Sequence, residues 1–86
     1  MSQYEIVFAR SARNKLQALS PALAERVFRK IELLALNPRP SGSKKLHGHS
    51  NLWRIRVGQY RVIYSIGDDN LVVDISVIRH RSEAYR

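Results

Sequence analysis

The segment WRIRVGQYRVIY holds the residues best suited to chemistry. Trp53, Ile55 and Val57 alternate with Arg54 and Arg56, so the two arginines belong to one face of a strand and the apolar set to the other. Gly58-Gln59 is a two-residue link of the Gly-X kind that favours a type II′ turn. The chain then returns antiparallel, and Arg61 comes within cross-strand reach of the pair. Guanidiniums gathered on one sheet face repel one another, and no acid lies nearby in sequence. Edge-protecting charge on a solvated face is one account of this. An anion site for phosphate explains the clustering better, because arginine offers planar, bidentate donors to phosphate oxygens.

A second set closes the chain: Arg79-His80-Arg81-Ser82-Glu83-Ala84-Tyr85-Arg86. Antiparallel pairing carries the end of the last strand to the neighbourhood of Arg61. His80 and Tyr85 are then candidates for proton transfer, and Arg79 and Arg81 for holding a phosphate. Strict alternation poses a difficulty. It puts Arg79 in phase with Val73, Ile75 and Val77, and His80 in phase with Asp74 and Ser76. Either the strand ends or bulges near Ile78, or only some of these side chains face the site. His47 and His49 stand in a basic loop as HGH, and two histidines without a third ligand or carboxylate make a poor metal site. Lys44, Lys45, His47 and His49 are read as loop contacts to nucleic acid, with Arg81 beside them. Asp68 and Asp69 are turn residues, and no Gly-rich phosphate loop, CxxC or nucleophile elbow is present. No cofactor is expected.

The elements that must position these groups follow from periodicity. Gln3 to Phe8 is rich in β-formers and predicts a strand. Ala12, Leu16 and Leu19 share one face of a short helix. Ser20-Pro21 has the form of an N-cap followed by Pro at the first helical position. Leu23, Val27, Phe28, Ile31, Leu34 and Ala35 stripe a longer helix, which Asn37-Pro38 ends, since Asn tolerates the left-handed conformation and Pro cannot continue a helix. So short a link predicts an antiparallel helical hairpin. Residues 38–50 form a polar loop anchored by Leu46. Strands are expected over Leu52–Val57, Tyr60–Ile66 and Leu71–Ile78, with a turn at Gly67-Asp68-Asp69-Asn70. The fold class is therefore α+β: a strand, a helical hairpin, then a three-stranded antiparallel meander, in one sheet with the helices on one face.

Eighty-six residues are enough for one domain, 1–86, and too few for two cores. A hydrophobic fraction of 44% argues against disorder. Fifteen Lys and Arg against seven Asp and Glu give a net charge of +8, which attracts polyanions. Between Arg39 and Arg61 lie six basic residues (Arg39, Lys44, Lys45, Arg54, Arg56, Arg61) and no acid. This segment fits a phosphate-facing surface or a docking surface for an acidic protein. The chain lacks cysteine, a membrane-length apolar run and a signal-peptide core, so a soluble, cytoplasmic protein with no membrane partner is expected.

Residues 46–85, LHGHSNLWRIRVGQYRVIYSIGDDNLVVDISVIRHRSEAY, resemble the C-terminal half of RelE-family toxins of type II toxin–antitoxin systems. That family has an L-x-G loop, then W/Y-R/K-I-R/K, G-x-Y-R-[VL]-[IV]-Y and R-x-R-x-x-[VA]-Y. The preceding helical hairpin ending in NP matches as well, so the resemblance spans essentially the whole chain. It implies a ribosome-dependent, metal-independent mRNA endonuclease that cuts the codon in the A site. In that reaction the ribose 2′-OH attacks the adjacent phosphate and leaves a 2′,3′-cyclic phosphate. The functional positions fall on Arg54, Arg56, Arg61, Arg79 and Tyr85. The best-studied members carry lysines at the first two of these, one discussed as a general base. Arginine does not readily deprotonate, which shifts proton transfer to Tyr85 or to His80, a position where many members also carry His. The chain stops just after Tyr85, without the C-terminal helix of some relatives. The implied partners are an acidic cognate antitoxin, mRNA in the A site, ribosomal RNA, and operator DNA only through the antitoxin complex. Two alternatives stand beside this reading: a ParE-like inhibitor of DNA gyrase, and a non-catalytic RNA- or antitoxin-binding module.

Overall fold

The computed structural model describes residues 3–48 and 51–85. The chain begins with strand β1 (Glu5–Phe8) and helices α1 (Arg10–Ala18) and α2 (Pro21–Leu33), then adds strands β2 (Lys44–Lys45), β3 (Leu52–Val57), β4 (Tyr60–Gly67) and β5 (Val72–His80). A 3-10 turn over Arg81–Tyr85 follows. The strands form one sheet in the order β1-β5-β4-β3-β2. β3, β4 and β5 are the expected antiparallel meander. β1 lies parallel to the first half of β5, from Glu5 opposite Val72 to Phe8 opposite Ile75.

The helices cover one face of this sheet. Ala12 from α1, with Val27 and Ile31 from α2, packs fully buried against Ile55, Val57, Val62, Tyr64, Val73, Ile75 and Ile78. Leu16, Leu19 and Leu23 lie against that core, as the helical spacing predicts. Phe28 was expected in the same stripe but is 41% exposed, with its ring stacked on Phe8 at 6.5 Å between centroids.

Several boundaries depart from the sequence reading. Ser20 occupies the N-cap of α2 and Pro21 its first turn, but the Ser20 hydroxyl makes no capping bond. The helix ends at Leu33, and Leu34–Leu36 form a turn instead of a last helical turn. Asn37 is not left-handed; its side-chain oxygen accepts the Arg39 N–H at 3.1 Å, a local turn of the kind short polar side chains favour. The loop over 38–50 contains β2, a pairing too short to show any periodicity, with Lys44 opposite Arg54 and Lys45 opposite Trp53. β1 starts at Glu5 because the Tyr4 N–H goes to the Ala35 carbonyl, away from the ladder. β5 begins at Val72 because Leu71, with φ +56°, completes the preceding turn in the left-handed region. Gly58 has φ +59° and Gln59 does not share the left-handed region, the arrangement of a type II′ turn.

Tyr64 joins the sheet to the loop after α2. It is fully buried and its hydroxyl donates to the Pro38 carbonyl at 2.7 Å, while burial raises its pKa to about 12. Tyr64→Phe leaves that carbonyl without its donor. Chemical denaturation should report a loss of about 1–3 kcal/mol, and an unchanged midpoint would show that the bond contributes nothing.

A register shift decides which way the end of β5 faces. Ile63 of β4 opposes Val77, whereas the next residue, Tyr64, opposes Ile75, so Ser76 is the extra residue of a β-bulge. Val73 and Ile75 point into the core on one side of the bulge, and Ile78 does so on the other. The phase therefore flips, and Val77 and Arg79 face away from the helices. α1 runs beside this half of β5, where Ser11 Oγ donates to the Ser76 carbonyl at 3.3 Å and the Ala9 N–H to the Ile75 carbonyl at 2.9 Å. Among the described residues no helix is long and apolar enough to cross a membrane.

Candidate functional site

On the sheet face away from the helices, Arg56, Arg61 and Arg79 form a row across β3, β4 and β5. Arg56 is directly opposite Arg61, and Arg61 is directly opposite Arg79. Directly opposed strand residues have Cβ atoms about 4.5–5.5 Å apart, so like charges there are destabilising unless an anion joins them. Arg54 lies one pair back, between Lys44 of β2 and Ile63 of β4, and Lys44 thereby shares the arginine face. The bulge at Ser76 resolves the phase difficulty: it brings Arg79 into the row and turns its neighbour His80 the other way.

Arg54 is the least exposed of these cations, at 8%. Burial lowers its pKa first, and the charges of Arg56 and Arg61 lower it further. It nonetheless remains an arginine that holds its proton in any ordinary solution. Among the described residues no ion pair reaches Arg54, Arg56 or Arg79. A buried charge without a counter-ion costs stability, and a phosphate would supply the missing charge.

Around the tip of the β3–β4 hairpin is a cleft of about 250 Å³, lined by Arg56, Gly58, Gln59, Tyr60, Arg61 and Arg81. Arg81 is held there by its N–H to the Gln59 carbonyl at 2.7 Å and by its guanidinium to Gln59 Oε1 at 3.3 Å. The structure therefore places Arg81 beside Arg56 and Arg61. Gln59 is the anchor that sequence reasoning missed, since a turn residue 22 positions away gives no sign of it.

Other candidates fall elsewhere. His80 is opposite Tyr60, with rings edge to face at 5.2 Å, in phase with Ile78 and on the helix side of the sheet. The structure does not bring it to the arginine row. Lys45, paired with Trp53, is on that helix side as well, and His47 is in an exposed turn. His49 and the Tyr85 side chain lie outside the described residues. Among the described residues no three His, Cys, Asp or Glu side chains come together.

Arg39 leaves the phosphate-facing set. Its guanidinium holds the Asp68 carboxylate through both oxygens, at 2.8 and 3.3 Å, and lies 5.2 Å from the centre of the Trp53 ring. Tyr4 donates to the same carboxylate at 2.7 Å. These two bonds, the Arg39 one first, hold Asp68 below its ordinary pKa, and Asp68 in turn raises that of Arg39. The cluster ties the β4–β5 turn to the loop after α2.

Residues 6–85 match the family described as the ParE toxin of the type II toxin–antitoxin system parDE. RelE1 of Methanocaldococcus jannaschii is 32% identical over 74 residues, which is 83% of this chain and 82% of that protein. The chain belongs to the RelE/ParE family of toxins from type II toxin–antitoxin systems. The fold agrees. The archaeal RelE–RelB complex of Pyrococcus horikoshii has a chain 30% identical, superposing with a TM-score of 0.81 over 94% of this chain and 97% of that one. The RelBE2 toxin–antitoxin complex of Mycobacterium tuberculosis gives 28% identity and a TM-score of 0.83 over 95% of each chain. Within this RelE/ParE toxin, the arginine row occupies the sheet face that the helical hairpin leaves open.

Proposed function

We propose that this toxin is an endoribonuclease that enters the ribosomal A site and cuts the mRNA codon displayed there. In the proposed step the ribose 2′-OH gives up its proton, O2′ bonds to the adjacent phosphorus, and the 5′-oxygen leaves with a proton. The products are a 2′,3′-cyclic phosphate and a 5′-hydroxyl. The observation that carries the reading is the row Arg56–Arg61–Arg79 with the buried Arg54 behind it. Fixed donors of this kind act on charge that grows on the phosphate in the transition state. Lys44 and Arg81 extend the same basic surface towards RNA. Proton transfer is assigned to Tyr85, because His80 faces the other side of the sheet.

The match to the ParE toxin family supports a ParE-like second reading, which would be inhibition of DNA gyrase without RNA cleavage. A buried guanidinium among aligned cations supports a phosphate site that reacts, and the RelE relatives support the same branch. The relatives solved as RelE–RelB and RelBE2 complexes support an antitoxin partner for this toxin. Its net charge of +8 favours an acidic one, and in this reading operator DNA is reached only through that complex. The reading describes a cytoplasmic, single-domain toxin without a cofactor.

The experiment adds purified toxin to a cell-free translation reaction and maps mRNA ends by primer extension, with a ribosome-free control. Cuts confined to translated, in-frame codons are the expected result. Intact mRNA together with normal translation overturns the reading and makes gyrase supercoiling the next assay.

A further inference from the structure

The 3-10 turn that ends at Tyr85 is fastened at Arg81 to Gln59 beside the arginine row, and at its other residues from outside that row. Glu83 Oε1 accepts the His80 N–H at 2.9 Å and Lys15 Nζ at 3.2 Å, so one carboxylate oxygen ties the turn both to the end of β5 and to α1. Ser82 N–H donates to His80 Nδ1 at 3.1 Å, with Ser82 Oγ at 2.9 Å from the same nitrogen. Isolated 3-10 turns have poor internal hydrogen-bond geometry, and chain ends fray unless tied down. The conformation of this turn is therefore set by these ties together with the bonds from Arg81 to Gln59.

The Lys15–Glu83 tie differs from the exposed Glu25–Arg29 pair on α2, which links two residues of a single helix one turn apart. It spans 68 positions and borders a hollow of about 500 Å³ that Arg79 also lines. The carboxyl of Glu83 is held below its usual range by the His80 N–H first, then by Lys15, and the charge of Arg79 adds to this.

We propose that Lys15 and Glu83 are positioning residues, a latch by which α1 sets the orientation of the Tyr85-bearing turn relative to Arg79. The inference rests on the mRNA-cleavage reading and on the part Tyr85 plays in it. Exposed ion pairs contribute little to stability, so the effect of this one falls on geometry. Small misplacements of an acid or base are costly to rate.

The test uses the full chain on translating ribosomes and compares Lys15→Ala, Glu83→Gln, the double variant, Lys15→Arg and the control Glu25→Gln. Each latch variant should lose about tenfold in kcat with KM and thermal midpoint unchanged. The double variant should be no worse than the poorer single, and Lys15→Arg should keep most of the activity. Glu25→Gln should match the wild type. Wild-type kcat in both single latch variants, beside an inactive Tyr85→Phe, overturns the latch and leaves the cleavage reading standing. Multiplicative losses in the double variant, or losses accompanied by a lowered thermal midpoint, overturn it also. A fully active Tyr85→Phe, or a wild type that cuts nothing, removes the reaction being positioned and the inference with it.

Discussion

Arg61→Ala is expected to lower ribosome-dependent mRNA cleavage by about 10²–10³-fold while the protein stays folded. Arg61 is the centre of the row, opposite Arg56 on one side and Arg79 on the other, so a phosphate seated there meets donors from all three strands. Removing the middle cation takes away charge stabilisation where charge develops. Tyr85→Phe should abolish cleavage to a similar degree through the loss of a transferable proton. The contrast is Arg39→Ala, which removes the same charge from the chain. Arg39 is bound to Asp68 and stacked on Trp53, so its loss should reduce stability and spare the chemistry. Primer extension and thermal melts on the three variants give the answer. Full cleavage by Arg61→Ala, or arrest of growth by cells producing it alone, would sink the assignment of the row.

Those arginines were legible in the sequence only where local periodicity governs. The alternation of Trp53, Ile55 and Val57 with Arg54 and Arg56 is a property of five consecutive residues, and β3 has the predicted bounds. Gly58-Gln59 links two such runs and sets their register, which brings Arg61 opposite Arg56. The end of β5 was different. An alternating pattern contains no mark for an extra residue, and Ser76 is extra only because Tyr64 and Ile63 of another strand pair with its two neighbours. Sequence alone thus left Arg79 and His80 on undetermined sides, and a tertiary contact decided between them. β2 and the Arg39–Asp68 pair were hidden for the same reason. A two-residue strand has no period, and a carboxylate 29 positions away is not a neighbour until the β4–β5 turn folds back.

Arg54→Met should separate stability from function. The guanidinium is buried beside Arg56 and Arg61, with no acid among the described residues to pair with it. A charge in such a place is tolerated for what it binds and works against the unliganded fold. Methionine keeps an unbranched apolar stem and removes the charge, so the free toxin should gain about 1 kcal/mol of stability. Cleavage should fall about 10²-fold or more, because the donor nearest the protein interior, and least screened by water, is lost. Arg54→Lys is the informative companion. It retains a positive charge but not the planar fork, so partial activity would show that charge matters more than bidentate geometry at this position. Urea denaturation and primer extension on the same preparations measure both quantities. A less stable Arg54→Met would mean that the guanidinium is compensated in the free protein and is part of its scaffold. A more stable variant with wild-type cleavage would confine the anion site to Arg56, Arg61 and Arg79.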